Sequence, residues 1–177
     1  RPPPATPGNA RDKVLLATIR PGARSPRSDR RTQHERAVRR LLARGVLDRI
    51  QYLPGVTSAS LINSMPFGRM FIQDNFEIEG QPTSTLNAGT PKIESGYFKT
   101  MRIPLLAGRE FTSQDTAAAP KVAIVSERIV REYFPGGPGE ALGRRVRVGD
   151  RGEWLTVAGV VAGGVVGVEG VLQPPDV

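Results

Sequence analysis

The side chains in this sequence that could do chemistry are few and scattered. His34 is the only histidine, and it sits in an arginine-rich stretch, so no histidine pair exists to bind a metal. There is no cysteine, which excludes disulfides, thiolate catalysis and Cys-ligated zinc. The carboxylates are mostly single. Glu77 and Glu79 stand two apart in "DNFEIEG" (Asp74–Gly80), a spacing that puts both on one face of a strand, where exposed acids are ordinary. Ser126-Glu127 lacks the G-x-S-x-G frame of a nucleophile elbow and reads as a helix start, with Ser126 as its cap. "GGPGEALGRR" (Gly136–Arg145) has the glycine content of a phosphate-binding loop but the wrong spacing. Gly137 to Gly143 is one residue too long for G-x-x-x-x-G-K-[ST], Gly139 to Gly143 is one too short, and Arg144 stands where the motif needs Lys. No catalytic, cofactor-binding or metal-binding residue is expected.

The most specific-looking stretch is "SGYFKTMRIPLLAGREFTSQD" (Ser95–Asp115), and its residues are structural in type. Tyr97, Phe98, Met101 and Ile103 through Leu106 read as a short helix and its exit packing into a core. Gly108 is expected to permit a turn and Phe111 to anchor the segment beyond that turn. Arg109 has Asp115 as one candidate carboxylate partner, and the sequence does not choose among the acids. Tyr133, Phe134 and Gly143 complete the set of expected structural anchors.

The elements that must carry these residues emerge from periodicity. Residues 1–12 and 21–32 are rich in Pro, Arg, Ser and Gly and are expected to be weakly ordered. "KVLLATIR" (Lys13–Arg20) reads as a strand. A helix is predicted from about Thr32 to Leu53, with Val38, Leu41, Leu42, Val46, Ile50 and Leu53 on one face. Burying those six, at roughly 1.5–3 kcal/mol each, would outweigh the ~1 kcal/mol cost of Gly45. Val56–Phe67 reads as extended, "DNFEIEG" as a strand with Phe76 and Ile78 alternating with acids, and "TLNAGTPKIES" (Thr85–Ser95) as a strand entering the stretch above. "KVAIVSERIVREYFPGG" is a strand followed by a short helix with Ile129, Val130, Tyr133 and Phe134 on its buried face. "RRVRVGDRGEWLTVAGVV" is a β-hairpin around Gly149–Gly152, in which Val146, Val148, Leu155 and Val157 alternate with polar residues. In the tail, Gly159 and Gly163 make a GxxxG spacing, but the apolar run reaches only from Leu155 to Val168 before Glu169. A spanning helix needs about 20 residues, so strand plus loop is expected and no segment is expected to cross a bilayer.

The chain of 177 residues has a net charge of +8, which suggests a nucleic-acid binder until the charges are located. Residues 1–40 carry 11 Arg and Lys against 3 Asp and Glu, whereas residues 41–177 carry 14 of each. The basic character therefore belongs to one end. A small nucleic-acid-binding protein acting through this Arg-rich segment is the alternative reading, without a recognition motif and without aromatics before Tyr52 for base stacking. Anionic lipid headgroups would attract the same segment. A third reading, a hydrolase using Ser126 or Asp115, has no supporting motif. The chain begins at Arg1 rather than Met and reads as a fragment or processed segment; residues 1–13 contain no apolar h-region of a signal peptide.

Six stretches then matter by their order: "LPGVTSASLINSMPF" (Leu53–Phe67), "FEIEGQP" (Phe76–Pro82), Ser95–Asp115, "KVAIVSERIVREYFPGG", "ALGRRVRVG" (Ala141–Gly149) and "LTVAGVV" (Leu155–Val161). Their succession closely resembles the extracytoplasmic core domain of MacB-type permeases, most of all FtsX-like ABC transporter permeases with duplicated permease units, over about residues 37–161. The resemblance implies an α+β fold, with a porter-like strand–helix–strand unit and a small mixed α/β (sabre-like) subdomain. Residues 1–31 would be a mobile N-terminal segment. The strand at 13–20 with residues 32–67 would be the first porter-like unit, 68–161 the inserted subdomain, and 162–177 a Gly-rich tail to a truncated domain. It also implies a non-enzymatic module on the extracytoplasmic (periplasmic) face of the cell membrane, without cofactors and without a nucleic-acid partner. Its partners would be a cytoplasmic ABC ATPase, reached through transmembrane helices outside this chain, and a second permease in a dimer. It would transmit conformational change to export or extract a substrate. After Val161 the family usually continues with an Asp-Val-Arg-like sequence, whereas this chain reads "AGGVVGVEG".

If the ring of Phe98 is core, Phe98→Ala lowers the free energy of unfolding by roughly 3–5 kcal/mol. Denaturant unfolding of the two proteins measures it, and an unchanged midpoint would refute the packing role.

Overall fold

From Trp154 to Val157 residues alternate between partly exposed and buried, and from Gly159 to Val161 every residue is buried. Alternation is the signature of a strand with one wet face, and continuous burial that of a strand covered on both. The computed structural model describes residues 41–63, 73–81, 86–116, 118–149, 152–163 and 171–174. Its elements are α1 (described over 41–51), β1 (Gln73–Ile78), β2 (Leu86–Gly89), α2 (Tyr97–Met101), β3 (Leu105–Gly108), β4 (Val122–Ser126), α3 (Glu127–Tyr133), α4 (Pro138–Ala141), β5 (Arg145–Val148), β6 (Trp154–Val161) and β7 (Val171–Leu172). The fold is α+β.

One sheet runs in the order β2-β1-β5-β6-β4-β7, and β3 also pairs with β6. All pairings are antiparallel except β4 with β6. β5 covers Trp154 to Thr156 and β3 covers Gly159 to Val161, both on the edge of β6 opposite β4. Between Val157 and Gly159 the register with β4 shifts, so Ala123 faces Val157 and Ile124 faces Gly159. The bulge reverses the side-chain alternation of β6. Leu155, Val157 and Val160 therefore join one core, with Phe76, Ile78, Ala123, Val125, Val146 and the α3 residues Ile129 and Val130. Val161 joins the other, with Ile93, Tyr97, Phe98, Met101, Ile103, Phe111, Val122, Ile124 and Leu172. β4 alternates between these two cores, which is why its run Val122–Ser126 is buried throughout.

Several expectations need correction. The helical face expected to bury Leu41, Leu42, Val46 and Leu53 is exposed, Leu41 at 70%, and the helix ends before Leu53. Among the contacts of α1, Arg44 reaches Glu94 at 3.4 Å and Gln51 donates to the Ala59 carbonyl at 3.5 Å, while Leu47 and Ile50 are half-buried. Val38 and the strand expected at 13–20 lie outside the described residues. Within Val56–Phe67 the described part has one bridge, Ile62 to Ile93, rather than a regular strand, and residues 64–67 lie outside. Ile103 is buried, but Leu105 and Leu106, on β3 at the edge of the sheet, are exposed. Ser126 stands at the N-cap of α3 without a side-chain capping bond. The glycine-rich turn after Tyr133 holds a helix that periodicity does not indicate. In α4, Pro138 takes the first turn, and Glu140 accepts a hydrogen bond from the Gly136 amide at 2.6 Å. Pro at a first helical position, followed closely by an acid, was the available signal.

Gly159 is the partner of Gly108 across β6 and β3. A Cβ on Gly159 would collide with the Arg109 carbonyl oxygen, and one on Gly108, at φ +75°, with the Ala158 carbonyl. Both obstacles are backbone and cannot swing aside. Gly159→Ala should cost about 3 kcal/mol. Gly80→Ala, also at positive φ but in open space, should cost about 1 kcal/mol. Thermal melts of the two variants test the ranking; equal losses would show that the close approach at Gly159 is not a constraint.

Candidate functional site

The chain leaving β3 is held to β6 and then folded onto itself. The Arg109 amide donates to the Ala158 carbonyl at 2.9 Å. Its guanidinium forks onto Asp115, with Nη1 to Oδ2 at 2.7 Å and Nη2 to Oδ1 at 2.8 Å. Nη1 also donates to the Glu110 carbonyl at 3.0 Å. Asp115 Oδ2 further accepts from the Thr112 amide at 2.8 Å and from the Thr112 hydroxyl at 3.3 Å. Phe111, between these residues, is buried in the same core as Phe98. Planar two-point pairing is what the guanidinium shape favours. The pair is asymmetric: the Asp115 side chain is 6% exposed and that of Arg109 49%. The bond from Arg109 holds the Asp115 carboxyl below its ordinary range; burial opposes this and the Thr112 amide adds to it. The Arg109 guanidinium is correspondingly pushed up, chiefly by its bond to Asp115.

The expected anchors fall into three groups. Tyr97, Phe98 and Phe111 lie in one core, where Tyr97 and Phe98 meet edge to face with centroids 5.8 Å apart. Phe134 lies in the other, with Tyr133 packed against it and set edge-on to Phe76 at 5.7 Å. Gly108, Arg109 and Gly143 meet at the bulge of β6. The Gly143 amide, at a residue with φ +77°, donates to the Val157 carbonyl at 2.9 Å, and the Val157 amide donates to the Arg144 carbonyl at 2.8 Å. These contacts fill the gap that β5 and β3 leave along one edge of β6.

Two features are not evident from sequence. Glu77 and Glu79, read as ordinary exposed acids, pair across to β5: Arg147 with Glu77, and Arg145 with Glu79 at 2.9 Å. Both guanidiniums lie over the Trp154 ring, Arg145 at 5.5 Å and Arg147 at 5.0 Å from its centroid. Alternation of charge along β1 and β5 was the signal, but the strands' adjacency was not readable. Tyr97 Oη is buried without a hydrogen-bond partner, and burial pushes its pKa up to about 12.

A cleft of about 190 Å³ is lined by Asp115, Lys121, Glu153 and Gln173 among others, below the 300–1,000 Å³ usual for small-molecule sites. Asp115 in it is already engaged by Arg109 and Thr112. Among the described residues no group of three or more His, Asp or Glu side chains is placed to hold a metal, and no helix is long and apolar enough to cross a membrane. His34 lies outside them.

A family profile described as the MacB-like periplasmic core domain matches residues 9–175. No curated protein matches the chain. Among solved structures, the periplasmic region of MacB from Actinobacillus actinomycetemcomitans is 17% identical with a TM-score of 0.50; the match covers 72% of this chain and 52% of that one. The extracellular domain of the ABC-type transporter YknZ from Gram-positive bacteria is 20% identical with a TM-score of 0.49, over 72% of this chain and 59% of that one. The chain spans about half the length of these relatives.

The geometry has two measurable consequences. Asp115 has a lowered folded pKa, so the stability it contributes is present above its unfolded pKa of about 3.9 and is lost as pH falls through the folded value. Asp115→Asn should therefore be less stable than the parent at pH 7, with a gap that narrows from about pH 5 downward. Urea unfolding across that range measures it, and parallel profiles would overturn the assignment. Tyr97→Phe removes a buried hydroxyl without a partner and should raise stability by about 1 kcal/mol; a loss instead would reveal a partner for that hydroxyl.

Proposed function

For a chain that belongs to the MacB-like periplasmic core domain family, we propose the role of the extracytoplasmic domain of an ABC transporter permease of the MacB and FtsX-like type. The observation that carries this is the family match over residues 9–175, together with a fold like that of a MacB periplasmic region. On this reading the domain is non-enzymatic and lies on the periplasmic face of the cell membrane. It moves in response to ATP hydrolysis by a separate cytoplasmic subunit, to which transmembrane helices of the parent protein connect it, in a permease dimer. The movement serves to export or extract a substrate.

The physical features support a module of this kind. The Arg109–Asp115 clasp, the two-sided core and the glycine contacts at β6 make a body able to move as a unit. The division into a first porter-like unit ending near residue 67, an inserted mixed subdomain over 68–161 and a tail over 162–177 belongs to the same proposal.

The absence of cysteine from the chain makes the location testable. Ser113 is exposed on the loop between Phe111 and Asp115. In the full-length protein expressed in cells, with any cysteine outside this chain replaced by Ser, Ser113→Cys should react with a membrane-impermeant maleimide once any outer barrier is opened and while the cytoplasmic membrane is intact. Reaction only after the cytoplasmic membrane is disrupted would place the domain inside and overturn the proposal. So would a coding sequence without transmembrane helices on either side of this chain.

A further inference from the structure

We draw no further inference here: the strongest candidate, the exposed apolar face of α1 formed by Leu41, Leu42 and Val46, carries none because nothing among the described residues shows what covers it.

Discussion

The backbone of β6 between Val157 and Gly159 must satisfy partners on both of its edges while its side-chain alternation reverses. β4 runs parallel along one edge and tolerates the extra residue by a shift in register. On the other edge no single strand spans the bulge. Pairing of β6 with β5 ends at Thr156 and its pairing with β3 begins at Gly159, and the Gly143 amide, the Arg144 carbonyl and the Arg109 amide complete the backbone pairing between them. An unpaired buried amide or carbonyl costs about 1–3 kcal/mol, so the loops that deliver these groups have little freedom. Gly108 and Gly143 take positive φ at this place, and Gly108 and Gly159 leave room for backbone to approach backbone. Both cores depend on the result, because the bulge sends Val160 into one and Val161 into the other.

The charged groups divide by burial. Arg109 and Asp115 form a partly buried pair in which the carboxylate accepts four hydrogen bonds, and loss of its partner would leave a desolvated acid. Glu79 with Arg145 is close to half exposed on both sides, so its pairing is worth at most about 1 kcal/mol. What Glu77, Glu79, Arg145, Arg147 and Trp154 provide is agreement across three strands: opposite charges face each other between β1 and β5, and guanidiniums lie over the indole from β5 to β6. Such pairs favour the observed register over a one-residue slip, which would place acids and arginines on the core side. Ionic groups of this kind, tied to one another and to the backbone, suit a structural role.

The strands of the sheet are bound to their neighbours by backbone pairing, and β1, β4, β5 and β6 carry buried apolar side chains. α1 keeps large apolar side chains in solvent and meets Glu94 and Ala59 through polar contacts. An amphipathic helix is normally stabilised by packing of its apolar face rather than by intrinsic propensity.

Much of this was legible in the residues. Apolar residues at alternate positions marked β1, β5 and β6, a continuous apolar run marked β4, and three- and four-residue steps marked α1 and α3; local periodicity determines these because backbone geometry sets which side chains share a face. The ordered stretches determined the family resemblance, and the stock of His and Cys by itself limited the chemistry. Other features rested on partners distant in sequence. Whether the face of α1 is covered, whether Leu105 and Leu106 are core, and whether Glu77 meets a cation depend on which segments become neighbours. The bulge at Val157–Gly159, which redirects Val160 and Val161 to opposite cores, has no mark in the sequence beyond a glycine that a membrane motif would explain equally well. Only the tertiary structure distinguished them, because the need for glycine there comes from the carbonyl of Arg109, far away along the chain.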